Sequence, residues 1–226
     1  MIITPDILAA LLRKYPEKHK YRIIILLAFH TGARISEILG LTWEDADLDA
    51  GRLAIARQVI DSRAARGFFF APPKTRTSVR TISLDAHIIS ALRVWRSQQS
   101  KRALLLGGAY QCVYEMADGR IITEPRIEAP PDGARQRHLI CTDKFGLPVR
   151  YAAFQQILRV QGLNAHSFRH THATKLIEAG AKPVDVAARL GHADATITQN
   201  LYSHDTEEMQ QETAAIFEGV VDKMGL

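Results

Sequence analysis

The segment His166-Ser-Phe-Arg169 is followed along the chain by Leu190-Gly-His192 and then by Tyr202. Two imidazoles, a guanidinium and a phenol thus lie within 37 residues, which is unfavourable for a core but suited to a phosphate. Arginine stays charged, and its planar fork of donors matches an oxyanion. A phenol becomes a nucleophile when a neighbouring group accepts its proton. The segment therefore predicts a phosphate site with a nucleophilic tyrosine.

Residues 167–179 have the pattern of a helix, and His166 and Arg169 lie three positions apart at its amino end. That spacing places both on one face, where free N–H groups and the helix dipole favour an anion. Phe168 and His172 lie on a different face, and we interpret them as core residues. The helix is therefore predicted to present one basic pair to a ligand.

Helical patterns flank a β-rich middle segment. Helices are predicted over 5–14, 20–31, 86–100, 151–161, 167–179, 183–190 and 206–223. A further helix is expected directly after Gly32, with Arg34, Glu37 and Leu39 in it, and another from a cap at Asp194 toward Tyr202, within 194–202. Strands are predicted over 53–60, 67–71 and 80–84. The expected fold class is therefore α+β, mostly α-helical, with a small three-stranded antiparallel sheet.

The segment 107–148 has no sustained period, and we interpret it as an irregular insertion. Within it, 110–116 and 120–123 are expected to pair as a hairpin across Asp118-Gly119. One principal domain is expected over 1–205, followed by a helical tail over 206–226. A chain of 226 residues with 46% apolar residues has enough apolar surface for such a core.

Charge is unevenly distributed along the chain. Lys and Arg outnumber Asp and Glu by 29 to 24, a net charge of +5. Five basic residues and no acid lie between Ser62 and Arg80, whereas Asp205 to Asp222 contains six acids and no Lys or Arg. This asymmetry favours one surface that faces a polyanion. The alternative is that these clusters are merely solvated faces.

Only Cys112 and Cys141 are present, which provides neither a disulfide framework nor zinc spacing. No signal-peptide pattern opens the chain, and its longest apolar run, 23–29, is too short to span a bilayer. These features predict a cytoplasmic protein with no membrane partner.

Five stretches of the sequence resemble motifs of the tyrosine recombinases, the phage integrase family. His166-Ser-Phe-Arg-His-Thr-His-Ala-Thr, Leu190-Gly-His-Ala-Asp and Tyr202-Ser-His are similar to its carboxyl-terminal signature. Thr31-Gly-Ala-Arg-Ile-Ser-Glu-Ile-Leu-Gly-Leu resembles its first arginine motif, and Lys74-Thr-Arg-Thr-Ser-Val-Arg-Thr-Ile resembles its lysine motif. The motifs follow the family's order from 31 to 204, and only 107–148 departs from its pattern.

The resemblance implies a catalytic domain over 1–205 that cleaves and rejoins double-stranded DNA through a 3′-phosphotyrosine, without metal or ATP. The implied catalytic residues are Arg34, Lys74, His166, Arg169, His192 and the nucleophile Tyr202, with Glu37 in support. Arg34 and Glu37 are expected to share a helix face through their i, i+3 spacing. Arg76 and Arg80 are assigned to DNA contacts.

The family resemblance further implies no cofactor and self-assembly as a dimer or tetramer on DNA. The tail is expected to dock on a neighbouring protomer or over its own site.

Two other interpretations of the function remain open. One is a zinc hydrolase using His166, His170 and His172, which helical spacing disfavours. The other is a catalytically silent DNA-binding fragment, for which the basic clusters alone suffice.

Overall fold

The computed structural model describes residues 2–62, 67–73 and 75–191. Lys74, His192, Tyr202 and the predicted helices over 194–202 and 206–223 lie outside the described residues, as does the side chain of Arg76. The architecture below refers to the described ranges.

Seven α-helices lie within those ranges. They are α1 (Pro5–Lys14), α2 (Lys20–Thr31), α3 (Ile35–Leu39), α4 (Ala86–Leu106), α5 (Tyr151–Arg159), α6 (Ala165–Glu178) and α7 (Pro183–Leu190). The apolar helix α2 is central, with contacts to α1, α3, α4 and α6. Half of its residues are buried, among them Ile24 and Leu27. None of the described helices has both the length and the apolar character needed to cross a membrane.

Helix α2 ends at Gly32, whose φ of 62° is the left-handed conformation that favours glycine. A Cβ here would lie 2.6 Å from Leu190 and 2.8 Å from His172. The missing side chain therefore lets α6 and α7 pack closely against the end of α2. This packing brings the chain segments that carry the sequence motifs to one end of the helical layer.

The described strands form two antiparallel sheets. The strands are β1 (Ala46–Asp47), β2 (Arg52–Ile55), β3 (Gln58–Ser62), β4 (Gly67–Ala71), β5 (Arg80–Ser83), β6 (Gln111–Glu115), β7 (Arg120–Pro125) and β8 (Arg135–Arg137). One sheet has the order β1-β2-β5, and the other has the order β3-β4-β7-β6-β8. The predicted α+β class is confirmed, but the prediction of one three-stranded sheet is wrong.

The expected strand over 53–60 divides at Ala56-Arg57, so its halves join different sheets. Leu53, Ile55 and Val59 are buried at alternate positions, and Arg57 occupies the core-facing position between them. Its guanidinium pairs with Asp45, which is itself largely buried. An inward-facing ion pair cannot continue an apolar face, and the chain turns away to form the β3–β4 hairpin.

The segment 107–148 is more regular than its sequence predicts. The hairpin across Asp118-Gly119 is confirmed as β6 and β7, and β8 pairs with the far edge of β6. Because β7 also pairs with β4, the insertion extends the β3–β4 hairpin into a five-stranded sheet. The prediction of an irregular insertion is therefore wrong, since pairing partners distant in sequence supply the order.

Candidate active site

The amino end of α3 carries the first predicted pair. The Arg34 backbone N–H donates to Glu37 Oε2 at 2.9 Å, and Arg34 Nη1 donates to Glu37 Oε1 at 2.8 Å. The predicted shared face is confirmed. Since one carboxylate binds both the backbone and the side chain of Arg34, the position of its guanidinium depends on Glu37.

Glu37 is only 2% exposed, and it accepts a further hydrogen bond from Arg80 Nη2 at 3.1 Å. Burial by itself would raise the pKa of this carboxyl. Hydrogen bonds and positive charge from Arg80, with hydrogen bonds from Arg34, outweigh burial and hold the pKa below its ordinary value. Glu37 is therefore an anion at neutral pH that holds two guanidinium groups.

Arg169 approaches the same place from α6. It is 8% exposed, and its Nη1 donates to the carbonyl of Gly32 at 3.2 Å. Burial, and then the positive charge of Arg34, lower its pKa to about 9, although Glu37 acts in the opposite direction. Arg169 thus remains charged at neutral pH, but at a free-energy cost that an additional anion would reduce.

His166 lies in the first turn of α6 and is exposed. It lines a cleft of about 290 Å³ together with Arg34 and Arg169. The walls of the cleft also include Ile35, Gln58, Val59, Ile60, Asp61 and Tyr151. The structure therefore brings together three of the predicted site residues, although two of them come from a segment far along the chain from Arg34.

The helix end that carries His166 differs from the expectation in one respect. The backbone N–H groups of His166 and Ser167 donate to Asn164 Oδ1, at 2.9 Å and 3.1 Å. They are capped rather than free, which corrects the prediction that bare amides bind an anion there. The side chains of Arg34, Arg169 and His166 are the cleft's donors instead.

Arg80 also differs from its predicted role. Its side chain is 7% exposed, and its guanidinium contacts Glu37, the carbonyl of Ser78 and the carbonyl of Arg189. A guanidinium with three internal partners is not available to a DNA backbone. The expected DNA contact of Arg80 is therefore corrected to an internal one.

The two predicted motifs that lie partly outside the described residues also border this cluster. Ser78, which follows the lysine segment, accepts a hydrogen bond from Arg34 Nη1 at 3.3 Å and donates to the carbonyl of Gly191 at 3.5 Å. Gly191 directly precedes His192, and Ser78 lies four residues after Lys74. Ser78 therefore contacts both the Arg34 guanidinium and the residue that precedes His192.

His172 lies behind the cluster, and its interpretation as a structural residue agrees with its contacts. Nδ1 donates to the carbonyl of Phe29 at 2.9 Å, and Nε2 accepts from Arg189 Nε at 3.0 Å. Burial, only partly offset by the contact with Phe29, lowers its pKa to about 4, so the ring is neutral at pH 7. With both ring nitrogens engaged, His172 is unsuited to the zinc site considered from sequence.

Arg189 is a residue that sequence reasoning missed. Besides its contact with His172, it donates to the carbonyls of Ser83 and His30, at 3.0 Å and 3.2 Å. It therefore joins the end of α7 to β5 and to α2. The only sequence signal was its place in the last turn of a helix. That signal is weak, because basic residues are common there for their favourable interaction with the helix dipole.

This fold and cluster define a domain with an excess of fixed cations in a cleft, as enzymes that act on phosphate esters require. The sequence model of the phage integrase family matches residues 3–209. The chain belongs to the phage integrase family, and the resemblance to the tyrosine recombinases is confirmed.

Individual relatives agree with the family match. A tyrosine recombinase XerC-like protein of Caldanaerobacter subterraneus subsp. tengcongensis is 30% identical over 82% of this chain and 46% of its own length. The prophage integrase IntR of Escherichia coli K12 is 26% identical over 88% of this chain and 47% of its own length. The chain spans about half the length of the curated relatives it matches.

Solved structures of related proteins share the fold. The integrase of transposon Tn1549, in complex with circular intermediate DNA, superposes with a TM-score of 0.69 at 21% identity. The match covers 96% of this chain and 67% of the solved integrase chain, which comprises residues 82–397 of that integrase. At this identity the likeness concerns the fold, including the arrangement of helices and sheets that forms the cleft.

Proposed function

We propose that the chain is the catalytic part of a site-specific DNA recombinase or integrase, which cleaves and rejoins double-stranded DNA through a 3′-phosphotyrosine. The observation that carries the proposal is the convergence of Arg34, Arg169 and His166 on one cleft. Around the buried Glu37, guanidinium groups outnumber carboxylates among the described residues. A phosphodiester supplies the anion that such a cleft binds.

Attack on a phosphodiester spreads negative charge over the equatorial oxygens of the phosphorus. Catalysis requires donors that interact more strongly with that charge than with the ground state. Arg34 and Arg169 serve this purpose, since each guanidinium can donate two parallel hydrogen bonds to neighbouring oxygens. Glu37 positions Arg34 and does not titrate in the reaction.

Tyr202 is the nucleophile in this proposal. Its Oη forms a bond to phosphorus, the phosphorus bond to the 5′-oxygen breaks, and the phenol proton moves to His166. A phenol has an unperturbed pKa of about 10, so it needs this base and the positive field of the arginines at neutral pH. The 5′-oxygen leaves with a proton from Lys74, and His192 donates to a non-bridging oxygen.

The covalent intermediate accounts for rejoining. In the phosphotyrosine a new phosphoester bond to Tyr202 replaces the broken one. A 5′-hydroxyl of another strand then attacks the phosphorus and gives its proton to Lys74, the bond to Tyr202 Oη breaks, and the phenol regains its proton from His166, which leaves a continuous strand. The reaction as written balances without a metal or nucleotide. The DNA in the solved complex of the Tn1549 integrase supports double-stranded DNA as the partner. Dimers or tetramers on that DNA, with the tail 206–226 docked in trans or in cis, are also part of this proposal. A cytoplasmic location is part of this proposal.

The test is covalent trapping on a nicked suicide DNA substrate, on which the released fragment diffuses away. The wild-type chain should form a DNA adduct that survives denaturation, and Tyr202→Phe should abolish it while DNA binding changes little. Low salt is needed, because the affinity for phosphates falls steeply with ionic strength. Tyr151→Phe, which alters another phenol beside the cleft, is the matched control and should still trap DNA. A wild-type chain that binds DNA but forms no adduct would favour the silent fragment instead.

A further inference from the structure

The contacts of Arg80 connect three chain segments that carry or directly adjoin the proposed catalytic groups. These segments are the start of α3, the turn Arg76–Ser78 after Lys74, and the end of α7 before His192. We propose that Arg80 is a positioning residue, which sets the relative placement of these segments through one buried guanidinium. The inference rests on the proposed recombinase function and assigns a further residue to that reaction.

The first contact is with α3. Arg80 Nη2 donates to Glu37 Oε2 at 3.1 Å, and the side chains of both residues are at least 93% buried. The same carboxylate holds the backbone and the guanidinium of Arg34. Arg80 therefore acts on Arg34 indirectly, by keeping Glu37 ionised and fixed in orientation.

The second contact is with the turn. Arg80 Nη1 donates to the carbonyl of Ser78 at 2.8 Å, and the hydroxyl of Ser78 accepts from Arg34 at 3.3 Å. Thr75 and Ser78 also share a hydrogen bond between their hydroxyls at 2.8 Å. The residues that follow Lys74 are thus fixed to Arg80 on one side and to Arg34 on the other.

The third contact is with α7. Arg80 Nε donates to the carbonyl of Arg189 at 2.7 Å, which is the shortest of its three hydrogen bonds. A Cβ at Gly191 would lie 2.9 Å from Arg80 Nη1 and 3.1 Å from the Cα of Ser78. The glycine before His192 therefore lies directly against the guanidinium and leaves no room there for a side chain.

Only an arginine can make these three contacts together. Nε, Nη1 and Nη2 lie in one rigid plane and each donates to a different segment. A lysine ammonium would retain charge beside Glu37, but it would lose the fixed angles between donors. Since the site depends on placing groups from distant segments within a fraction of an ångström, losing this plane should slow the reaction.

The experiment compares Arg80→Gln and Arg80→Lys with the wild-type chain in single-turnover cleavage at saturating DNA. We expect Arg80→Gln to reduce the cleavage rate about a hundredfold, because misplacement by about 1 Å costs that much, and to leave the DNA dissociation constant within about threefold. The cleavage rate of Arg80→Lys should lie between those of the wild-type chain and Arg80→Gln. Arg57→Gln is the matched control, because Arg57 also pairs with a largely buried carboxylate but contacts no cleft residue that the structure describes.

Two further readouts separate positioning from a general structural role. Among the described residues, the charged groups that act on Glu37 are Arg34, Arg80 and Arg169. Removing Arg80 should raise the pKa of Glu37 and shift the acid limb of the cleavage profile to higher pH, because a protonated Glu37 no longer holds Arg34 in place. Hydrogen exchange in Arg80→Gln should become faster in 75–78 and 187–191 by more than the loss of global stability accounts for.

The outcomes are distinct. If Arg80→Gln cleaves at the wild-type rate per folded molecule, or loses DNA affinity without losing rate, the proposal is overturned. If the wild-type chain forms no adduct, the recombinase function fails, while hydrogen exchange still decides the placement role. Unchanged exchange in both segments would overturn that role independently of activity.

Discussion

Two buried carboxylates in this molecule hold arginines, yet their surroundings differ in charge. Asp45 has one guanidinium partner, Arg57, and it also accepts from the backbone and the hydroxyl of Thr42. Glu37 has two guanidinium partners, Arg34 and Arg80, and the charge of Arg169 acts on the same place. The first site is balanced, and the second has an excess of cations.

This difference in charge distinguishes the structural ion pair at Asp45 from the proposed binding site at Glu37. Burying charge is costly unless each charge has a partner, and the Asp45 site meets that condition within the fold. At the Glu37 site a third guanidinium lies close by, and burial, followed by the positive charge of Arg34, lowers the pKa of Arg169 to about 9. Under the proposed function, an anion bound in the cleft offsets this positive charge and stabilises the second site.

The largest effect is expected from Arg169→Lys, which keeps the positive charge but removes the planar fork of donors. Loss of one such transition-state donor costs about 10²–10³ in rate, so cleavage at saturating DNA should fall by that factor. The DNA dissociation constant should change much less. Single-turnover cleavage and a filter-binding titration measure the two quantities, and equal losses in both would show that Arg169 binds the ground state only.

A smaller effect, on stability alone, is expected from Asp45→Asn. The substitution leaves Arg57 largely buried without its anion, which should lower the free energy of unfolding by about 2–3 kcal/mol. The cleavage rate per folded molecule should not change, since Asp45 contacts no cleft residue in the described part of the chain. Urea denaturation and single-turnover cleavage check the two halves of this prediction. A rate loss as large as that of Arg169→Lys would erase the contrast between the sites.

The smallest effect comes from a third arginine contact, in which the partner of Arg189 is the neutral ring of His172. The unfolded ring has a pKa of 6.5, and the folded ring has a pKa of about 4. The unfolded state therefore binds more protons between these values, and stability present above pH 6.5 is lost as the pH falls towards 4. Between pH 7 and pH 5 the loss should be about 2 kcal/mol from this group.

Urea denaturation at the two pH values tests this dependence, with His172→Gln as the control that lacks the titrating ring. The variant should be less stable at pH 7 but should lose less stability on acidification. Equal slopes in the wild-type chain and the variant would mean that His172 does not contribute to the acid sensitivity.

Much of the helical layer follows from local sequence, because caps and breakers act over a few residues. Thr4 caps α1, Asn164 caps α6, and Gly32 and Gly191 end α2 and α7 in the left-handed conformation. The Arg34–Glu37 contact follows from i, i+3 spacing in the same way. Local periodicity also predicts the β6–β7 hairpin, whose turn carries its own signal.

The sheets were less accessible from sequence, since a strand's partner is decided by pairing over long distances. Arg57 looked like one polar residue in a continuous strand, and only its pairing with Asp45 explains why the chain leaves the first sheet there. The insertion 107–148 seemed irregular because its order depends on β4, a strand that lies outside it. Arg80 looked like an exposed basic residue because sequence gives no measure of burial.

Sequence by itself determined the chemistry: which residues are cationic, which can transfer a proton and which segments form helices. Tertiary structure decided which cations line the cleft and which are held within the fold. Arg34, Arg80 and Arg169 are chemically alike, and they differ only in what surrounds each guanidinium. The physical reason is that burial and partners fix the free-energy cost of a charge, and both arise when distant segments pack together.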